Sequence, residues 1–216
     1  MRSIDDKNTV HTFQDRMLSG MVERQKFNSL LKELFRKSIH ICSAFVPYFL
    51  SLFYWQVITL LCVVLIVYSI SEIFRLKGYT IPLVSKITET AARKRDANKF
   101  VLGPVTLVCG IMLASLLLPL DCARVGIFAL SFGDGLASLT GRFLGKVSIP
   151  FSGGKTAAGS LSCFFAVYIS TFICSGNTLV SLIVAFAAMI IELLPIKDFD
   201  NLVIPISIGA LFMFLR

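Results

Sequence analysis

From Ser38 to Ser71 the chain carries no Asp, Glu, Lys or Arg. A run of that length is too long for one membrane crossing of about 20 residues and fits two. Tyr54, Trp55 and Gln56 stand near its middle, where amphipathic rings favour the interface, so the pattern predicts a hairpin of two helices. Phe100 to Leu120 reads as a single span, and Val125 to Gly141 as another that carries one acid, Asp134. Thr156 to Ile191 is again double length, broken by the turn signal Ser175-Gly176-Asn177-Thr178, and Leu202 to Leu215 is a short last span. The sum is about seven helices of roughly 17 to 20 residues. Soluble helices keep a polar stripe, and these mostly show none. The predicted fold is therefore all-α, a polytopic integral membrane protein.

Residues 1 to 37 differ. Phe13, Met17, Met21, Phe27, Leu30, Leu31, Leu34 and Phe35 recur at near-helical spacing among Arg16, Arg24, Lys32 and Arg36, the pattern of an amphipathic helix on a membrane surface. No apolar core followed by a small-residue cleavage site occurs in residues 1 to 38, so no secretory signal peptide is expected. The domain reading is a segment 1–37 holding that helix and a single transmembrane domain 38–216. Gly78 and Pro82 end the helix after the second span, and residues Ser85 to Arg95 of the Lys77–Lys99 loop are expected to form a short surface helix.

Composition agrees: 56% of residues are hydrophobic and only 16% charged, against roughly 25% charged in ordinary soluble domains. Lys and Arg are segregated. The N-terminal segment and the loop after the second helix hold most of them, and seven spans put Arg142 to Lys155 and Lys197 to Asn201 on the same side, leaving Arg124 and Arg216 opposite. By the positive-inside rule the basic side is cytosolic. The net charge of +8 thus reads as a topology signal and attraction to anionic lipid, and no nucleic-acid motif accompanies it. The six cysteines lack any CxxC pair and read as small packing residues.

Asp134 lies about nine residues into its span, roughly 13 Å deep at 1.5 Å per residue. A carboxylate there is costly, so the helix is either interrupted at Gly133-Asp134-Gly135 or Asp134 pairs with a cation or metal. After it, Gly141, Arg142 and Lys146 lead to Gly153, Gly154, Lys155 and Thr156, where small residues, long cations and a helix start suit phosphate oxygens. Ile149 stands where a Walker A loop needs its first glycine. The same topology gathers Arg36, Lys37, His40, Glu72, Arg75, Glu192, Asp198, Asp200 and Asn201 at the basic ends of their helices. Two acids beside Asn201 form an oxygen-rich set suited to a hard cation.

The ordered series Arg36-Lys37-x-x-His40, Glu72-x-x-Arg75, Gly133-Asp134-x-x-Ala137-x-x-x-Gly141-Arg142-x-x-Gly145-Lys146, Gly154-Lys155-Thr156-x-x-Gly159-Ser160 and Asp200-Asn201-x-x-x-Pro205 resembles the CTP-dependent lipid kinases. That family comprises dolichol kinases, phytol and farnesol kinases and CTP-dependent diacylglycerol kinases. The resemblance covers residues 34 to 215. It implies transfer of the γ-phosphoryl group of CTP to a lipid alcohol with Mg²⁺ or another divalent cation, and a need for Arg36, Lys37, Asp134 and Gly141. Ala157 and Ala158 depart from the Lys-Thr-x-Glu-Gly-Ser run of the relatives, which shifts acidic duty to Asp134, Asp198 or Asp200.

On this reading Asp134, Arg36, Lys37 and His40 are the catalytic candidates. Gly141, Arg142, Lys146, Gly153, Gly154, Lys155 and Thr156 bind phosphate; Asp134, Asp198 and Asp200 hold the metal; Glu72, Arg75 and Asn201 support them. The expected partners are CTP and a membrane lipid in a bacterial or endoplasmic reticulum membrane, with the site on the cytosolic face. Phosphatidate cytidylyltransferases are the alternative, similar over residues 133 to 160. Their C-terminal signature is only echoed in Lys197-Asp198-Phe199-Asp200-Asn201, with Ile204-Pro205-Ile206 where His-Gly-Gly should follow. A non-enzymatic anion-binding transporter is the third reading, and the chain lacks the inverted repeat that would favour it.

Overall fold

The computed structural model describes residues 3–79 and 99–216, with the side chains of residues 3–19 and Lys26 outside the description. The expected surface helix at Ser85 to Arg95 lies outside the described residues. Among those described the chain is all-helical, as the pattern predicts: α1 (Ser3–Cys42), α2 (Val46–Leu52), α3 (Tyr54–Leu76), α4 (Gly103–Leu117), α5 (Leu120–Phe128), α6 (Gly135–Leu144), α7 (Ala157–Ser175), α8 (Thr178–Leu193) and α9 (Asp200–Leu215). A 3₁₀ turn, Ser43–Phe45, joins α1 to α2, and a π-helical segment, Ala129–Asp134, joins α5 to α6. Another 3₁₀ turn, Lys197–Phe199, leads into α9.

Among the described residues four stretches are long and apolar enough to cross a membrane: Tyr54–Leu76, Leu120–Leu144, Ala157–Ser175 and Lys197–Leu215; α4 and α8 are shorter apolar helices. The expected hairpin turns at Phe53, one residue before Tyr54-Trp55-Gln56, where the backbone leaves the helical region (φ −139°, ψ 60°). The arm before it is built in pieces, the end of α1, the 3₁₀ turn and α2, and α1 itself runs unbroken through the change from polar to apolar sequence at Ser38. Asn177 caps α8, its Oδ1 accepting from the amides of Leu179 and Val180, after Gly176 has ended α7 at φ 62°.

Leu120–Leu144 is the hub. Two-thirds of its span is buried, against 17% for α3, whose Leu60, Ile66 and Ile70 present an exposed apolar surface. Around the hub, Val167 of α7, Val184 of α8 and Ile204 and Ile208 of α9 close the core with Ile127 and Leu130. Packing in lipid favours small residues that let backbones meet. Pro205 supplies no N–H to the Asn201 carbonyl, which instead faces Gly110 of α4; a methyl there would lie 2.1 Å from that oxygen. One turn on, a methyl at Gly126 of α5 would lie 2.0 Å from the Pro205 carbonyl oxygen. All six cysteines are free thiols, two of them, Cys122 and Cys163, buried in the packing.

Candidate functional site

The Gly-Asp-Gly sequence is explained by what packs on either side of it. A methyl at Gly133 would meet Val167 and Cys163 of α7 at 2.9 and 3.2 Å, and one at Gly135 would meet Ile41 of α1 at 3.0 Å. Two helices thus approach the backbone from different sides and leave Asp134 buried between them. The π-helical segment ends on this residue. Such wide turns shift the hydrogen-bond register by one residue and recur at functional sites.

On α1, Ser29, Glu33, Arg36, Lys37 and His40 follow the spacing i, i+4, i+7, i+8, i+11, which sets them on one stripe. That stripe faces the hub. Lys37 Nζ donates to Asp134 Oδ2, and His40 Nδ1 stands 3.2 Å from the same oxygen without hydrogen-bond alignment. Ser43 and Ser131 continue the seam, their hydroxyls 2.6 Å apart. A buried lysine–carboxylate pair needs such partners, because an unpaired charge there would be far more costly.

Two cavities meet at this pair. The first, about 400 Å³, lies among α1, α3 and α4 and is lined mainly by Ile39, Val63, Val64, Val67, Tyr68, Pro104, Leu107 and Val108, with His40, Asp198 and Asn201 at its charged end. The second, about 590 Å³, is polar and is lined by Glu33, Ser138, Gly141, Arg142, Ser152, Gly153, Gly154, Lys155, Thr156, Glu192 and Lys197 among others. Arg36, Lys37, Asp134 and Asp200 line both.

The loop between α6 and α7 folds back on itself. Ile149 N donates to Lys155 O at 2.8 Å and Ala157 N to Val147 O at 3.0 Å, while Ser152 Oγ accepts from Lys155 N. Gly153 and Gly154 turn the chain at φ 71° and 94°, a region in which side chains are strained. Lys155 Nζ then reaches Glu192 Oε1 at 3.2 Å and the Leu194 carbonyl at 3.4 Å, which ties the loop to the end of α8. Thr156 caps α7, its hydroxyl accepting from Gly159 N at 3.2 Å. Gly141 and Gly159 serve contact between α6 and α7: methyls there would lie 2.9 Å from Thr156 Oγ1 and 2.7 Å from the Ala137 carbonyl oxygen.

Not every residue singled out in the sequence joins the cleft. Lys146 is exposed and lines neither cavity. Glu72 and Arg75 pair with each other and pin the chain entering α4, where Glu72 Oε1 accepts from Val101 N and Arg75 Nη2 donates to Lys99 O, both at 2.8 Å. Asn201 borders the apolar cavity and ties α9 to α4 through Gly103 O and Thr106 Oγ1. In return the structure adds Glu33, which holds Arg36 at 2.5 Å, and gives Glu192 a partner in Lys155. Glu33 was legible as an acid three residues before Arg36 on one helix face; the link from Glu192 to Lys155 crosses too much sequence to be read locally.

At the other end of the bundle Asp121, Arg124 and Arg216 line a separate cavity of about 350 Å³, and Arg216 pairs with Asp121. Fold and cleft together define a polytopic α-helical membrane protein with a charged, two-chambered site at one end. The chain belongs to one family with a protein of Methanocaldococcus jannaschii described as uncharacterized, to which it is 30% identical over 183 residues, covering 83% of this chain and 92% of that one. It is also similar to proteins named as probable phytol kinase 1 of rice, 28% identical over 56% of this chain, and phytol kinase 1 of Arabidopsis thaliana, 26% identical over 61%. It spans 44% and 49% of the length of those two plant proteins. No protein-family model matches the chain, and no solved structure does.

Proposed function

We propose that this protein is a lipid kinase that moves the γ-phosphoryl group of CTP to the hydroxyl of a membrane lipid alcohol such as phytol, a polyprenol or diacylglycerol. The observation that carries the reading is the junction of an apolar and a polar cavity at Arg36, Lys37, Asp134 and Asp200. A reaction between a membrane alcohol and a nucleotide needs two such chambers with charged groups where they meet. The plant relatives named as phytol kinases support the same chemistry.

In the polar chamber Lys155 and Arg142 hold the CTP phosphates beside Gly153 and Gly154, and Arg36 and Lys37 stabilise the charge that spreads over the transferring group. The alcohol enters the apolar chamber from the bilayer. His40 lines that chamber and not the polar one, which supports it as the acceptor of the hydroxyl proton. In-line transfer then leaves CDP on the polar side and the phosphorylated lipid on the apolar side. The basic end of the bundle faces the cytosol, where CTP is available.

Five cations and four carboxylates line the polar chamber: Arg36, Lys37, Arg142, Lys155 and Lys197 against Glu33, Asp134, Glu192 and Asp200. That balance is close to neutral and leaves a triphosphate under-compensated without a divalent cation. Among the described residues no three His, Cys, Asp or Glu side chains form a ready-made metal cage. Mg²⁺ suits such a site, since it is commonly held by one or two carboxylates together with substrate phosphates. Asp134 and Asp200, which border both chambers, would hold it, with Asp198 near by on the apolar side. When bound it would neutralise charge on the phosphoryl oxygens.

The test is reconstituted protein with CTP labelled at the γ or the α position and a panel of lipid alcohols and phosphatidate. Label from the γ position on an alcohol is expected. Label from the α position on phosphatidate would make the protein a cytidylyltransferase, and transfer of neither would end the enzymatic reading.

A further inference from the structure

Glu33 takes no part in the transfer just described, yet it holds both guanidiniums of the polar chamber. Its Oε1 accepts from Arg36 Nη2 at 2.5 Å, and its Oε2 lies 3.7 Å from Arg142 Nη1. The first pair is local to α1. The second joins α1 to α6, where Arg142 Nη2 also donates to Ser29 Oγ at 2.8 Å. One carboxylate with a different arginine at each oxygen presents the sign of charge and the pair of acceptors that two phosphate oxygens would present.

Its position suits exchange. The Lys37–Asp134 pair is more deeply buried, with side chains 4% and 6% exposed, whereas Arg142 is 39%, Arg36 16% and Glu33 15% exposed. Ion pairs open to water contribute little and are weakened by salt, so a multiply charged anion can compete for such arginines. Arg36 and Arg142 both line the chamber that such an anion would enter, and so does Glu33.

We propose that Glu33 is a built-in stand-in for phosphate: it occupies Arg36 and Arg142 in the ligand-free protein, and an entering polyphosphate displaces it and breaks its ion pair from α1 to α6. The proposal rests on the reading of the polar chamber as a phosphate site and adds a regulation of that site. It sets a sign that a supporting role would reverse. A carboxylate that merely orients two arginines for phosphate leaves weaker binding when it is neutralised; one that competes with phosphate leaves tighter binding.

The deciding measurement is equilibrium binding of CTP and of inorganic tripolyphosphate to the full chain in lipid nanodiscs, comparing wild type with Glu33→Gln and Glu33→Asp. The glutamine variant removes the charge, and the aspartate variant is one methylene too short to serve both arginines. Both are expected to bind each anion about three- to tenfold more tightly, a gain that shrinks as ionic strength rises. Equal or weaker binding by the glutamine variant overturns the proposal; should that variant not fold, equal or weaker binding by the aspartate variant does so. Tripolyphosphate needs no turnover, so tighter binding without phosphoryl transfer to any lipid would retain Glu33 as the competitor and remove the kinase reading. Transfer to a lipid with unchanged anion binding would do the reverse.

Discussion

Lys37 and Asp134 are 97 positions apart in sequence and share a hydrogen bond where α1 meets the hub, with both side chains almost wholly buried. The pair joins α1 to the end of the π-helical segment, and both cavities open on it. Structure and chemistry are therefore hard to separate at this point. A buried pair resists loss of one partner much more than loss of both.

Lys37→Met alone is expected to lower stability by about 3–5 kcal/mol, because Asp134 keeps its charge without its ammonium. Lys37→Met with Asp134→Leu should recover most of that loss while remaining inactive. Thermal unfolding in detergent, alongside γ-labelled CTP transfer, checks both halves. A double variant no more stable than the single one would mean the pair does not balance itself.

Lys155 makes a different case, since its cation serves the loop and the polar chamber together. Lys155→Met is expected to weaken CTP binding roughly 10- to 100-fold, the equivalent of a charged hydrogen bond of about 1.5–3 kcal/mol. Glu192→Gln should loosen the tie between this loop and the end of α8 and raise the KM for CTP less than Lys155→Met does. Steady-state kinetics separate these effects, and a Lys155→Met variant with wild-type KM would exclude Lys155 from the phosphates.

Glycines offer predictions of opposite sign. Gly126→Ala would place a methyl 2.0 Å from the Pro205 carbonyl oxygen and should cost about 1–3 kcal/mol or more through displaced backbone. Gly20, exposed on α1 with nothing within 4 Å of its would-be methyl, should gain about 0.5–1 kcal/mol on the same change. Paired melting curves would show the contrast.

The apolar chamber can be narrowed without touching the charged groups. Val108→Phe adds bulk to its α4 wall and is expected to raise the KM for the lipid alcohol about tenfold while leaving CTP binding unchanged. Competition assays with alcohols of different chain length give the readout. An unaltered lipid KM would move the alcohol to another surface.

The helices were legible because crossing a membrane demands long uncharged runs, and the breaks at Phe53 and at Ser175 to Thr178 fall where interfacial and capping residues stand. Asp134 was legible as a buried acid for the same reason: a carboxylate in an apolar run is conspicuous. Gly141 and Gly159 illustrate what local reading misses. As glycines in a basic, Gly-rich stretch they suggest phosphate, and the fold uses them to let α6 and α7 touch near Thr156.

Hydrophobic pattern and charge are local properties, so the run of residues determined the all-helical membrane architecture, the sorting of Lys and Arg to one end and the set of side chains able to meet there. Which of them meet is a property of packing. Lys37 on Asp134, Lys155 on Glu192 and Arg142 on Glu33 depend on how α1 and α8 approach the hub, and no spacing along the chain states that. Tertiary structure also decided that the cleft has two chambers. The apolar one is a gap among α1, α3 and α4, the polar one lies under the loop before α7, and close-packed glycines and a wide helical turn set Asp134 against Lys37 where they join.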